Sequence, residues 1–212
     1  DANAVVRDLS GFHGVKVSNA IDLYISQGST EAVAVSAKDE KTRDRIKTEV
    51  KDGILYISFD SKGWQNWGNQ KLKAYVSIRD ISWLEASGAS DVKVSGTLKS
   101  ADLKLILSGA SDFEGNLEAG NIQIEGTGAS DIKITGHAGK ASIEMSGASD
   151  FKGYDFSIDV CKAEISGAGD MQLSVNKELD AEASGASSIR YKGEPVVKRS
   201  ESSGASSIKR KG

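Results

Sequence analysis

Along residues 84–212, apolar and polar positions alternate with a period of two, the mark of strands with one buried face. The alternation is punctuated by seven glycines, Gly88, Gly109, Gly128, Gly147, Gly167, Gly185 and Gly204, spaced 18 to 21 residues apart. Each sits in a copy of a Ser-Gly-Ala-Ser-Asp turn. Ahead of the turn the inward positions are mostly apolar, as in Leu103, Leu105 and Leu107 or Cys161, Ala163 and Ile165. Behind it one position is apolar in every copy: Val92, Phe113, Ile132, Phe151, Met171, Ile189 and Ile208. A fixed period of strands and tight turns predicts stacked coils rather than a helical bundle. The expected fold is all-β, a single-stranded right-handed β-helix or solenoid with coils of about 19 residues, the hand following the crossover preference. Seven coils at a strand spacing of about 4.8 Å make a rod segment roughly 34 Å long.

Within the turn, glycine supplies a positive φ, and alanine after it is expected to stack inside the bend. The hydroxyl residue before each glycine (Ser87, Ser108, Thr127, Ser146, Ser166, Ser184, Ser203) is expected to form a ladder along the stack. Phe113 and Phe151 are each followed two positions on by a glycine, Gly115 and Gly153. That pairing predicts a constant cross-section, a large side chain in one column offset by none in the next. The last coil carries Lys198, Ser200 and Ser202 at inward places and reads as a polar cap.

Residues 1–83 lack the clean repeat but hold β-like runs, including Val15 to Ile25, Glu31 to Ala37, Ile54 to Phe59 and Lys71 to Ile78. They are read as irregular N-terminal coils of one continuous domain, 1–212. In Ser18-Asn19-Ala20-Ile21-Asp22 asparagine replaces the turn glycine, and asparagine tolerates positive φ next best. Lys38 to Lys47 is charge-rich and reads as a short helix or turn over the end of the stack. Residues 61–70 read as an inserted loop.

Composition adds exclusions. The net charge of −3, with basic and acidic residues interspersed, offers no footprint for nucleic acid, and Lys209-Arg210-Lys211 reads as a solvated tail. The single cysteine, Cys161, rules out an intramolecular disulfide and falls on an inward column. No apolar run is long enough for a membrane span. The chain begins at Asp1 rather than Met, so an export segment ahead of it is expected to have been removed.

The turns stack acids at Asp91, Asp112, Asp131, Asp150 and Asp170, which invites a calcium reading. Lys93, Lys133 and Lys152, and Arg190 beyond the equivalent Ser188, lie two residues past that turn position and neutralise much of the column, so Asp is taken as a structural turn residue and no metal site is assigned. Gly136-His137 and Arg45-Ile46-Lys47 echo fragments of polygalacturonase motifs, but in reversed order and without an adjacent Asp pair. No catalytic residue and no cofactor is assigned. The most unusual segment holds Trp64 and Trp67, rimmed by Asn66, Asn69 and Gln70. These five are the candidate ligand-binding residues, as flat faces for a sugar or a partner surface. The alternative is that the rings pack over the solenoid.

The run Leu9-Ser10-Gly11-Phe12-His13-Gly14-Val15-Lys16-Val17, the segment Ile46-Lys47-Thr48-Glu49-Val50 and the repeated turns together resemble the putative auto-transporter adhesin family with a head GIN domain. The resemblance implies an exported β-helix of the bacterial cell surface or periplasm, often behind a lipoprotein signal and lipid-anchored, with no catalytic residues to carry over. The expected function is a non-enzymatic adhesin-like module that binds an extracellular glycan or a surface protein. A structural spacer or assembly unit, and less so a polysaccharide-degrading enzyme, are the alternatives. The sequence does not set the oligomeric state.

Overall fold

The computed structural model describes residues 1–63 and 71–212. The N-terminal part holds β1 (Val5–Arg7), β2 (Gly14–Val17), β3 (Ile21–Gln27), β4 (Ala32–Ser36), α1 (Glu40–Arg43), β5 (Ile46–Lys51), β6 (Ile54–Phe59), β7 (Leu72–Ile78) and β8 (Trp83–Ala86). The regular part follows with β9 (Val92–Leu107), β10 (Phe113–Gly126), β11 (Asp131–Met145), β12 (Asp150–Ile165) and β13 (Asp170–Ala183). The stack ends with β14 (Ser188–Lys192), β15 (Val196–Ser202) and β16 (Ser207–Arg210).

From β9 onward each coil pairs in parallel with the next, and equivalent residues stand in register: Ile122 on Ala141 on Cys161 on Leu179, and Phe113 on Ile132 on Phe151 on Met171 on Ile189. All of these side chains are buried, so the core is a set of columns parallel to the rod axis. The predicted Phe-Gly compensation is present. A Cβ on Gly153 would overlap the Phe151 ring, and one on Gly115 would overlap Val94 and meet the Phe113 ring.

The turn glycines stack with φ between +72° and +95°. In six successive coils the alanine N–H donates to the glycine carbonyl of the preceding coil at 2.8 Å, as from Ala148 to Gly128 and from Ala168 to Gly147. The interior of the bend differs from the sequence expectation. The alanines are exposed, and the serine after them is buried, at Ser90, Ser111, Ser130, Ser149 and Ser187. Its hydroxyl donates to the carbonyl three residues back, Ser149 to Ser146 at 3.0 Å and Ser187 to Ser184 at 2.8 Å. It also accepts the preceding coil's backbone N–H, as Ser149 does from Ser130 at 3.2 Å. A hydroxyl can close the bend's own carbonyl, which a methyl cannot, so the hydroxyl goes inside.

The N-terminal coils stack out of chain order. β2 lies between β6 and β8, and β3 between β7 and β9, all in parallel. Asn19 and Ala20, at φ 64° and 59°, make the turn between β2 and β3. Antiparallel strands then close this end, β5 on β6, β4 on β7, and β1 on β4. Helix α1 is one short turn, capped by the Asp39 carboxylate, which accepts from the Thr42 N–H at 2.8 Å. At the opposite end, among the described residues, β15 pairs only with β13 and β16 only with β14. Lys198, Ser200 and Ser202 are exposed there as expected of a cap, and so are Val196 and Val197, at 60% and 41%.

Candidate functional site

The sequence-predicted ligand residues Trp64, Asn66, Trp67, Asn69 and Gln70 lie outside the described residues. Their flanks are placed: Phe59 ends a strand in register with β2, and Leu72 begins one in register with β3. Just after β6, Arg45 donates to the carbonyls of Asp60 and Lys62, both at 2.9 Å.

The fragments that echo a pectinase are not brought together. Arg45 precedes β5 in the antiparallel cap, whereas His137 lies on β11 with β6, β2, β8, β9 and β10 between them. His137 stands 3.7 Å from Asp159, whose carboxyl is held down at about 2 by hydrogen bonds from Lys177 and Asn176. The Asp column serves the turns: Asp112 accepts the Asp131 N–H at 3.1 Å and Asp150 the Asp170 N–H at 2.9 Å, which ties each coil to the next. Among the described residues no group of three or more His, Cys, Asp or Glu side chains is placed to hold a metal.

Asp22 begins this column. Burial pushes its carboxyl up and the neighbouring Asp91 carboxylate adds to the shift, with Lys93, an Asp91 backbone hydrogen bond and Lys73 opposing it. A raised carboxyl contributes stability that is complete below the unfolded pKa of about 3.9 and declines as pH rises through the folded value. Asp22→Asn is therefore expected to raise Tm at pH 7 and to leave it unchanged at pH 3, in melts of both proteins.

A groove of about 700 Å³ runs along the rod on the face that precedes the turns. Its floor is the column Leu103, Ile122, Ala141, Cys161 and Leu179, each at most 5% exposed. One wall is Asp102, Asn121, Lys140, Val160 and Glu178, polar but for the valine, and the other is Lys104, Gln123, Ser142, Lys162 and Asp180. Strand alternation builds both walls, since residues on either side of an inward position point outward. Most wall groups are fixed by partners. Asn121 donates to Asp102 at 2.7 Å, Lys104 pairs with Glu125 at 3.0 Å, Lys162 with Glu164 at 2.8 Å, and Arg199 with Asp180 at 2.7 Å. Lys140 has no such partner among the described residues. Trp83 does not line the groove but stands in register with Lys104, one strand beyond it, with the Lys104 ammonium 5.3 Å from its ring centroid.

Cys161 lies in the floor, and burial, with Asp180 adding to it, pushes its thiol up to about 12. The thiolate is the reactive form, so alkylation of the folded protein at pH 8 is expected to be negligible and to appear only at the rate of unfolding. Labelling by iodoacetamide in buffer and in denaturant checks this.

The family described as "Putative auto-transporter adhesin, head GIN domain" matches residues 11–195. A putative adhesin from Bacteroides fragilis superposes with a TM-score of 0.91 at 20% identity, over 98% of this chain and 96% of that one. A putative lipid binding protein from Parabacteroides distasonis does so with a TM-score of 0.74 at 19% identity, over 100% and 98%. A putative adhesin from Parabacteroides merdae gives 0.72 at 19% identity, over 99% and 95%. No curated protein matches the chain. At these identities the likenesses establish the fold.

Proposed function

The chain belongs to the putative auto-transporter adhesin family with a head GIN domain, and from that membership we propose that it is a non-enzymatic, adhesin-like module of the bacterial cell surface that binds a glycan along the groove. The observation that carries this reading is the pair of largely polar walls beside a fully strand-paired floor. Strands β10, β11 and β12 pair on both sides, so an extended peptide finds no free backbone edge there and recognition falls to side chains. The walls offer amides, ammonium groups and carboxylates in alternation and close to charge balance, which suits a ligand rich in hydroxyl groups. Trp83, one strand beyond the groove, supplies an aromatic face.

One structural neighbour carries a lipid-binding name. The two readings differ in where recognition falls, on the polar wall groups for a glycan and on the floor and the apolar stems of the walls for an acyl chain.

Glycan-array binding tests the proposal, with the wild type beside Asn121→Ala/Gln123→Ala/Lys140→Ala and Trp64→Ala/Trp67→Ala. Loss in the first variant alone is expected. Loss in the second alone moves the site to the tryptophan connection, and an array with no wild-type binding sinks the glycan reading in favour of a structural spacer.

A further inference from the structure

We propose that Arg190, Lys192, Lys209 and Lys211 form a second binding surface, for a polyanionic glycan that carries sulfate or phosphate esters. β14 and β16 are neighbouring parallel strands with Arg190 opposite Lys209, and the Lys211 N–H donates to the Tyr191 carbonyl at 2.7 Å to continue the ladder. Alternation therefore puts all four cations on one outer face, opposite the buried Ile189. The Lys192 and Lys211 ammonium groups stand 4.5 Å and 4.8 Å from the centroid of the same Tyr154 ring.

Among the described residues no carboxylate pairs with any of the four, whereas Lys133 and Lys152, earlier on the same face, pair with Glu114 at 2.7 Å and Asp131 at 3.2 Å. Four unpaired like charges in adjacent strands repel one another, and one aromatic ring offsets little of that. A bound oxyanion removes the repulsion. A planar guanidinium beside ammonium groups suits the several acceptor oxygens of a sulfate or phosphate ester.

The shape of the patch selects the partner. Arg190 and Lys209 continue the row Lys133, Lys152 and Gln172 along the rod axis, at the strand spacing of about 4.8 Å. Asp131, Asp150 and Asp170 run beside that row, two residues earlier on the same strands. A bilayer laid on this face would cover the acids along with the cations, whereas a linear polymer can lie on the four cations of β14 and β16 at the end of the row alone. The surface lies on the face that follows the turns, away from the groove, so it stands independently of the groove reading.

The test is binding of a heparin-derived oligosaccharide at low salt to the wild type, to Arg190→Ser/Lys192→Ser/Lys209→Ser/Lys211→Ser, and to the charge-matched control Lys38→Ser/Lys47→Ser/Lys51→Ser/Lys71→Ser. Wild type and control are expected to bind alike and to weaken with salt, and the quartet variant to bind at least about tenfold more weakly. If the quartet variant melts early, Lys192→Ser/Lys211→Ser replaces it. Equal loss in quartet and control, or no wild-type binding, overturns the proposal. So does wild-type co-sedimentation with phosphatidylserine vesicles that is at least as strong as oligosaccharide binding, since that assigns the surface to a bilayer.

Discussion

Gly147→Ala is expected to cost about 3 kcal/mol of folding stability, read as a lower denaturant midpoint with an unchanged slope. Gly147 has φ +82°, where an L-residue costs roughly 1–2 kcal/mol. A Cβ there would also overlap the Gly128 carbonyl oxygen directly beneath it. That carbonyl accepts from Ala148, and Gly147's own carbonyl accepts from Ala168, both at 2.8 Å. Moving the strand to relieve the overlap strains two rungs, each worth about 1 kcal/mol net. The exposed neighbour supplies the contrast. Ala148→Ser is expected within about 0.5 kcal/mol of wild type, because its side chain touches neither the core nor the ladder. Equal losses at the two positions would mean that the turn is not packed through glycine and the buried Ser149.

That contrast marks how far the repeat could be read. Column identity, the glycine corner and the Phe-Gly compensation were legible because from β9 onward each coil packs on its neighbour in sequence, so a period of 18 to 21 residues, adjusted by local register shifts, describes the main columns. Which small residue faces inward was not. Alanine and serine fit the bend equally by volume, and the choice rests on a hydrogen bond, Ser149 to the Ser146 carbonyl, that hydropathy ranks the wrong way. The signal available was the i to i+3 spacing of a hydroxyl that closes its own turn.

The N-terminal order was hidden for a different reason. β2 is four residues long and pairs with β6 and β8, so its contacts are nonlocal and leave no period. Gly14 is the local trace of the arrangement, since it stands between Ile54 and Trp83 and a Cβ there would overlap the Ile54 side chain. The groove walls are the positions flanking an inward column, a pattern common to every strand of the repeat, so the sequence alone does not single them out. Lys209 and Lys211 read as a tail in one dimension. One coil length back along the chain stand Arg190 and Lys192, and the parallel pairing of β14 and β16 makes them one patch.

Phe151→Ala is expected to cost about 3–5 kcal/mol, the usual loss for truncating a fully buried phenylalanine. The more informative result is its coupling to Gly153. Gly153→Ala alone is expected to destabilise by about 1–3 kcal/mol, because its Cβ would overlap the Phe151 ring and lie 3.0 Å from the Gln172 carbonyl oxygen. In the Phe151→Ala background the ring is gone, and the added methyl is expected to cost little or to recover some of the loss. The double-mutant cycle in urea should therefore show a coupling of about 1 kcal/mol or more, and strict additivity would refute the shared-volume account. Constant cross-section matters beyond stability. The groove walls and the basic row are lines drawn through successive coils, and they stay straight only while every coil has the same girth. A coil swollen by Gly153→Ala would displace Lys152 from the basic row, so the ring and its glycine help to set the spacing on which any ligand along the rod depends.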